Sequence, residues 1–168
     1  MTTRSIQIRQ ATIEDVGVLA VHRVSMFRDM GSVDSSIEPA LLDAATTQIR
    51  EAMSAGEYLA WVAHPAGAPE HIIGGGGIQL RRLLPRPDDD GKRVLIGREA
   101  IVLNMYVESE WRRRGVARRI MQHILAWIPG SDVVRLVLHA SDEGRPLYQQ
   151  LGFVPTNEMR YDLEHRKP

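Results

Sequence analysis

Residues 100–130 constrain the fold of this 168-residue chain more than any other part of the sequence. Residues 100–107 form an apolar run that is too short for a typical helix and predicts a buried central strand. Gly115 follows a short polar connection, and apolar residues then recur every three or four positions up to Pro129. That period predicts a long amphipathic helix. A buried strand that is followed directly by an amphipathic helix indicates an α/β fold.

Weaker patterns on both sides of this unit predict the remaining elements. The other predicted strands are residues 6–8, 58–63, 72–80, 133–138 and 153–163. The other predicted helices begin near Thr12, Pro39 and Glu143 and end at Gly31, Gly56 and Gly152. Strands 58–63 and 72–80 are expected to pair as an antiparallel hairpin, residues 83–98 to form an exposed loop, and the tail 164–168 to fray.

Four consecutive glycines, residues 74–77, could suggest a phosphate-binding loop. No Lys-Ser or Lys-Thr pair follows them, and Gln79 occupies the position where a dinucleotide fingerprint needs its third glycine. The run therefore predicts a bulge or a close backbone approach within a strand.

The charge and cysteine content exclude several classes of protein. Lysine plus arginine equals aspartate plus glutamate, 21 each, which argues against a nucleic-acid coat or a membrane-surface protein. The absence of cysteine excludes disulfides, thiolate nucleophiles and cysteine metal sites. No apolar run near the start is long enough for a signal peptide, so the expected location is cytoplasmic.

A local anion site is expected where the central strand passes into the Gly115 helix. Helix starts offer unpaired N–H groups and a positive dipole end, and glycine lets a phosphate approach the backbone. Five arginines lie within eight residues there: Arg112, Arg113, Arg114, Arg118 and Arg119. The alternatives from the residues alone are a solvated basic helix end or a nucleic-acid contact, whose binding would fall steeply with salt.

Two motifs resemble those of a known family. Arg112-x-x-Gly115-x-Ala117 after a hydrophobic strand resembles the first signature of the GNAT acetyltransferases, and the run from Leu147 to Phe153 resembles their second. The opening run from Arg9 to Asp15 is also similar, so the resemblance covers nearly the whole chain. It implies one domain over residues 1–168. It also implies a central mixed, mostly antiparallel twisted sheet of six to seven strands flanked by about four helices.

The resemblance also implies a donor site for acetyl-CoA as co-substrate. Backbone N–H groups from Arg113 to Arg118 are expected to hold the pyrophosphate. The arginine side chains are expected to contribute mainly a positive electrostatic field. The main chain of residues 105–107 is expected to pair with the pantetheine arm. The Met105 N–H is expected to donate a hydrogen bond to the acetyl carbonyl oxygen. The full set of expected donor-site residues is Met105, Tyr106, Val107, Arg112, Arg113, Arg114, Gly115, Val116, Ala117, Arg118 and Ser141.

Tyr148 lies where the family keeps a general acid that protonates the departing thiolate. A phenol and a thiolate of similar basicity suit this transfer. The alternative is a core tyrosine that packs between the last helix and the sheet, and the two roles can coexist. Ser141 departs from the family pattern, which often has asparagine there, and offers only a hydroxyl to the CoA arm.

The base that deprotonates the attacking ammonium is less defined. Some family members place a glutamate where this chain has Ile101. Glu99 lies two residues earlier, on the same strand face, and is the predicted base, directly or through a water. A solvated strand-end carboxylate and a water chain without a dedicated base are the alternatives. Weaker candidates are Glu108, Tyr106, Asn104 and His139.

Two further features of the sequence bear on binding. Asp88, Asp89 and Asp90 could attract a cationic substrate, although a solvated turn fits them better. The six histidines show no paired ligand spacing, so no catalytic metal is expected.

The resulting hypothesis is an N-acetyltransferase that moves an acetyl group from acetyl-CoA to a primary amine by direct attack in a ternary complex. Without cysteine, a cysteinyl acyl-enzyme is excluded. The alternative is a non-catalytic sensor domain that binds CoA or acyl-CoA. The acceptor is expected to be a small-molecule or peptide amine, with neither nucleic acid nor membrane as partner. The resemblance also allows a homodimer.

Overall fold

The computed structural model describes residues 5–161 and 163. They group into two compact units, one that ends at Leu138 and one that begins at His139. In the first unit the helices are α1 (Val16–Asp29), α2 (Glu38–Ser54) and α3 (Val116–Trp127). Its strands are β1 (Ile6–Gln10), β2 (Tyr58–Pro65), β3 (Gly74–Arg82), β4 (Arg86–Pro87), β5 (Val94–Leu95), β6 (Arg98–Val107) and β7 (Val133–Leu138).

Five strands form one mixed sheet in the order β1-β2-β3-β6-β7. Every neighbouring pair is antiparallel except β6 and β7, which run parallel with α3 between them in the chain. The α/β class and the mostly antiparallel sheet are confirmed. The sheet has five strands instead of the expected six to seven, because the predicted strand 153–163 is irregular over the residues described there.

The predicted loop 83–98 contains a short hairpin. β4 and β5 pair with each other in a separate two-stranded sheet. The tight turn between them was expected from the aspartates and Gly91, whose φ is +67°. The predicted frayed tail, residues 164–168, lies outside the described residues.

The central sheet is packed on both faces. On one face, Leu19 of α1 packs with the side chains of β2 residues and the segment before β3, in a cluster of Leu19, Tyr58, Ala60, Val62 and Ile72. On the other face, Trp127 of α3 lies edge-on to Trp61 with ring centroids 6.1 Å apart. We call these the α1 face and the α3 face.

The glycine run lies in β3 and confirms the predicted close backbone approach within a strand. A Cβ added at Gly76 would lie 2.5 Å from Met105 Cε, and one at Gly77 would lie 2.6 Å from the carbonyl oxygen of Leu59. The register of β3 against β6 shifts between Gly75 and Gly77. A side chain at Gly77 would therefore collide with backbone, whereas at Gly76 it would displace the end of the Met105 side chain.

An ion pair fixes the entry into α1. Arg9 donates to both carboxylate oxygens of Asp15 at 2.8 Å, and Asp15 also accepts a hydrogen bond from the Thr12 N–H at 2.7 Å. The hydrogen bonds from Arg9 lower the pKa of Asp15. A carboxyl whose pKa falls on folding stabilises the protein above its ordinary pKa and loses that contribution as the pH falls through the folded value.

We expect Asp15→Asn to lower the free energy of unfolding by about 2 kcal/mol at pH 7, because a charged hydrogen bond to a nearly buried partner is lost. The deficit should shrink below about pH 4, where the unfolded chain already protonates the carboxyl. Urea unfolding at several pH values measures both effects. Asp43→Asn, at an exposed position of α2, is the matched control and should change little. A pH-independent deficit for Asp15→Asn would contradict this explanation.

The second unit contains one short helix, α4 (Arg145–Gln150), which ends before Gly152 at φ +94°. It confirms the centre of the predicted helix 143–151. No helix in residues 5–161 is both long and apolar enough to cross a membrane.

Candidate active site

The start of α3 offers a row of unused backbone donors. Gly115 precedes the helix with φ +78°, and no side chain caps this end. Arg113 also has positive φ, +60°. The N–H groups of Arg113, Gly115, Val116 and Ala117 donate no hydrogen bond to a backbone carbonyl within residues 5–161. Backbone amides without a partner at a helix start are the kind of group that can bind an anion.

Gly115 itself borders open space. A Cβ added there would meet no protein atom within 4 Å, so what restricts this position is its backbone conformation. The absence of a side chain leaves the adjacent amides accessible.

The arginines of this segment differ in what they contact. Arg112 donates to the Val107 carbonyl oxygen at 2.8 Å, pairs with Asp29 at the end of α1, and lies over the Tyr106 ring at 5.3 Å. The hydrogen bond to Asp29 raises the pKa of Arg112. Its side chain therefore joins α1, β6 and the α3 loop. Arg114 lies over the Trp111 ring at 5.2 Å.

A bulge interrupts β6 directly before this loop. Tyr106 pairs with Gly75 and Leu103 with Gly77, so β6 has one extra residue between these pairs. Asn104 lies in the bulge with φ +59°, a conformation that asparagine tolerates better than most residues. Its side-chain nitrogen donates to the Leu19 carbonyl oxygen at 3.0 Å, which holds the bulge against α1.

The far edge of β6 is open beyond the bulge. Pairing with β7 ends at Val102 and Leu138. Residues 103–107 therefore have no strand partner on that side within the described residues of the first unit. Their backbone groups can pair with an extended ligand, as the sequence predicted for residues 105–107. The open edge and the α3 amides follow one another along the chain.

A group of polar residues lies on the α1 face beside the bulge. His22 of α1 is buried, and both ring nitrogens lack a hydrogen bond in the described structure. Its Nε2 lies 3.7 Å from Glu108 Oε1, and its ring lies 5.0 Å from that of Tyr106. Burial lowers the pKa of His22, and Glu108 partly opposes the effect. His22 was not among the predicted site residues, although a histidine one turn from Leu19 on the apolar stripe of a helix is a usable signal.

Glu99, the predicted base, is held by two arginines. Only 1% of its side chain is exposed. One carboxylate oxygen accepts from Arg81 Nε at 2.7 Å, and the other lies 3.2 Å from Arg135 Nε. Both oxygens are thus engaged by guanidinium groups. This geometry favours a structural role for Glu99 over the predicted catalytic one.

The predicted acid and its neighbours lie in the second unit. Tyr148 packs edge-on to Phe153 with ring centroids 5.9 Å apart, and burial raises the pKa of its phenol. It is therefore protonated at neutral pH. The Ser141 hydroxyl accepts from the Gly144 N–H at 3.2 Å, which fixes the start of α4. The Nε2 atom of His139, a weaker base candidate, lies 3.3 Å from Glu158 Oε1.

The aspartate turn gives no support for a cationic substrate. Asp88 accepts hydrogen bonds from the Lys92 and Arg93 N–H groups and from Arg93 Nε, all within 3.2 Å. The Arg93 side chain lowers the pKa of Asp88. A cavity of about 410 Å³ beside the turn is lined by Arg86, Lys92 and Arg93 among others. Asp88 therefore closes its own turn. No cluster of three metal-ligating side chains occurs in residues 5–161.

Comparisons with known proteins agree with this geometry. A model of the acetyltransferase (GNAT) domain matches residues 56–155. A GCN5-related N-acetyltransferase from Ralstonia eutropha is 28% identical, with a TM-score of 0.81, over 95% of this chain and 99% of that one. A predicted acetyltransferase from Clostridium acetobutylicum, solved with acetyl-CoA, is 23% identical with a TM-score of 0.78, over 96% and 99% of the two chains. Comparison with curated proteins gives no match.

Proposed function

The chain belongs to the GNAT acetyltransferase family, and from that premise we propose that it transfers an acetyl group from acetyl-CoA to a primary amine by direct attack in a ternary complex. The observation that carries the proposal is the uncapped α3 start, which follows the open edge of β6. The first offers donors for a diphosphate and the second offers a strand edge for an extended arm.

The donor site uses mainly backbone groups. The N–H groups around Gly115 bind the pyrophosphate, and the main chain of residues 105–107 pairs with the pantetheine arm. Acetyl-CoA supplies the activated thioester when it is bound. The bulge leaves Met105 without a register partner on β3, and we assign its N–H to the acetyl carbonyl oxygen. One such donor contributes about 3 kcal/mol to acyl transfer.

Proton transfer needs a donor and an acceptor. Tyr148 is the proposed acid that protonates the departing thiolate, on the strength of its motif and of a phenol that burial keeps protonated. For the ammonium we propose water as the proton acceptor, without a dedicated base, because both oxygens of Glu99 are engaged by arginines. Direct attack then needs only the neutral fraction of the amine.

Without a dedicated base, kcat/KM for a simple alkyl amine should rise about tenfold per pH unit between pH 6 and 8 and level off near the pKa of the amine, about 10. Thiol release at saturating acetyl-CoA measures this profile. An amine with a lower pKa is the control, and its plateau should move down by the same interval. A plateau near pH 6 to 7 that does not change with the pKa of the amine would instead show that a protein group acts as the base. His22 and Glu108 would then be the first candidates.

One experiment tests the function as a whole. Calorimetry should show a specific complex with acetyl-CoA, and a panel of primary amines should include acceptors that release free thiol. Binding without release across the panel would favour the alternative, a CoA or acyl-CoA sensor. No binding at all would overturn both functions.

A further inference from the structure

Two arginines flank the buried Glu99 on neighbouring strands. Arg81 on β3 and Arg135 on β7 are both register partners of Glu99 on β6. Glu99 is 1% exposed, whereas 61% of the Arg81 side chain and 43% of the Arg135 side chain remain accessible. A buried carboxylate thus fixes two guanidinium groups that still face solvent. We call these residues the arginine pair.

The arginine pair lies on the α1 face of the sheet. Gly75 faces Leu19 of α1, and side chains alternate along a strand, so Arg81 points to the same side. Residues opposite one another in adjacent strands share a face, which places Glu99 and Arg135 there as well. The pair is therefore on the same face as Tyr106 and His22.

An apolar strip connects the pair to the bulge. Ile101 and Leu103 of β6 and Val137 of β7 lie between them on the same face, and all three are half-buried. The strip runs along β6 from Glu99 towards Met105, six positions away, or roughly 20 Å at the usual strand rise. It provides an apolar floor that leads from the proposed acetyl position to a cationic end.

The charges of the cluster do not cancel. Two guanidinium groups face one carboxylate, which leaves one net positive charge. Arg81 uses Nε and one terminal nitrogen for Glu99, and Arg135 is paired through Nε, so terminal N–H donors remain on both. Guanidinium groups fixed by a buried partner are pre-organised for forked hydrogen bonds to a carboxylate or a phosphate.

We propose that the arginine pair binds an anionic group, a carboxylate or a phosphate, on the amine that this protein acetylates. This inference rests on the proposed function. The anion is separated from the amine by an extended spacer that covers Ile101 and Leu103. An α-amino acid is too short to reach the arginine pair and the proposed acetyl position together, because its carboxylate carbon lies two bonds from its nitrogen. Glu99 acts as a positioning residue for the two guanidinium groups.

The test uses matched acceptors with the wild-type protein. One pair is a hexapeptide, which spans roughly 20 Å when extended, with a free amino terminus that ends in a carboxylate or in an amide. The second is a hexapeptide amide that ends in phosphoserine or in serine. We expect at least a tenfold higher kcat/KM for the anionic member of one pair or both, through KM, with the difference shrinking as salt rises. Preference in only one pair identifies which anion binds; equal values in both pairs overturn the inference.

Arg135→Gln should reduce the preference at least fivefold and leave acetyl-CoA affinity unchanged. The matched control is Arg82→Gln, next to Arg81 in the chain but on the opposite face, and it should retain the preference. Arg135→Gln can fail to fold because Glu99 loses a partner, and Arg135→Lys is then used. Lysine keeps the positive charge but lacks the paired N–H donors of a guanidinium group, so the preference for the anionic peptide should still fall. An unchanged preference in the folded variant, or a loss in the control, overturns the inference.

The inference and the proposed function can fail separately. Equal kcat/KM values for the neutral and anionic peptides would support the acetyltransferase function and overturn the anion site. Absence of turnover with all four peptides would also overturn the anion site, and calorimetry with acetyl-CoA then decides independently whether the donor site stands.

Discussion

Replacing Gly115 with glutamate should weaken acetyl-CoA binding at least 100-fold. The residue has φ +78°, so any side chain strains the backbone that aims the helix amides. A Cβ there meets no protein atom within 4 Å, and the new side chain would therefore extend into the space proposed for the ligand. Its carboxylate would also repel the diphosphate at close range. Calorimetry with acetyl-CoA measures the loss.

Gly91→Glu is the matched control for this variant. Gly91 has φ +67° and is equally free of neighbours, but it lies in the hairpin turn between β4 and β5. Both variants should lose a similar amount of stability, about 1–2 kcal/mol from the left-handed backbone. Only the change at Gly115 should affect affinity. If Gly115→Glu bound acetyl-CoA as tightly as wild type, the diphosphate would not be held at the α3 start.

Tyr148→Phe should lower kcat about 100-fold or more and leave the affinity for acetyl-CoA nearly unchanged, because a general acid contributes about 10²–10⁴ in rate. The substitution removes the hydroxyl and keeps the ring that packs against Phe153. An acetyl donor whose thiol is more acidic than CoA should show a smaller defect, since its thiolate leaves without a proton. Steady-state kinetics with both donors measure the effect.

Tyr58→Phe is the control for a tyrosine that acts only in packing. Tyr58 is buried in the core cluster, and burial raises its pKa to about 12. Removing this hydroxyl should leave kcat unchanged. Equal kcat for wild type and Tyr148→Phe with both donors would contradict the proposed acid.

The elements of the fold were largely predictable. The apolar period after Gly115 gave α3, and the β-branched run 133–138 gave β7 with the observed bounds. The glycine run was correctly interpreted as a close approach in a strand. The predicted strand 153–163 was wrong over its described residues, because a short apolar alternation forms a strand only where a neighbour offers backbone partners.

The base was the weakest part of the sequence interpretation. Alternation along β6 placed Glu99 and Ile101 on one face, which the register supports. It could not show that Arg81 and Arg135 flank Glu99, because the two arginines reach it from strands that are distant in the chain. The contact between His22 and Glu108 was hidden for the same reason.

Local order along the chain is enough to specify the helices, most strands and the glycine at the start of α3, because helix periods, turns and caps depend on residues a few positions apart. The bulge at Asn104, the open edge of β6 and the charges around Glu99 depend on which strands pair and in which register. A shift of one residue would turn every side chain of a strand to the opposite face. The helix start proposed for the diphosphate can therefore be read from one continuous stretch, whereas the strand edge proposed for the pantetheine arm and the charges around Glu99 follow from contacts between distant segments.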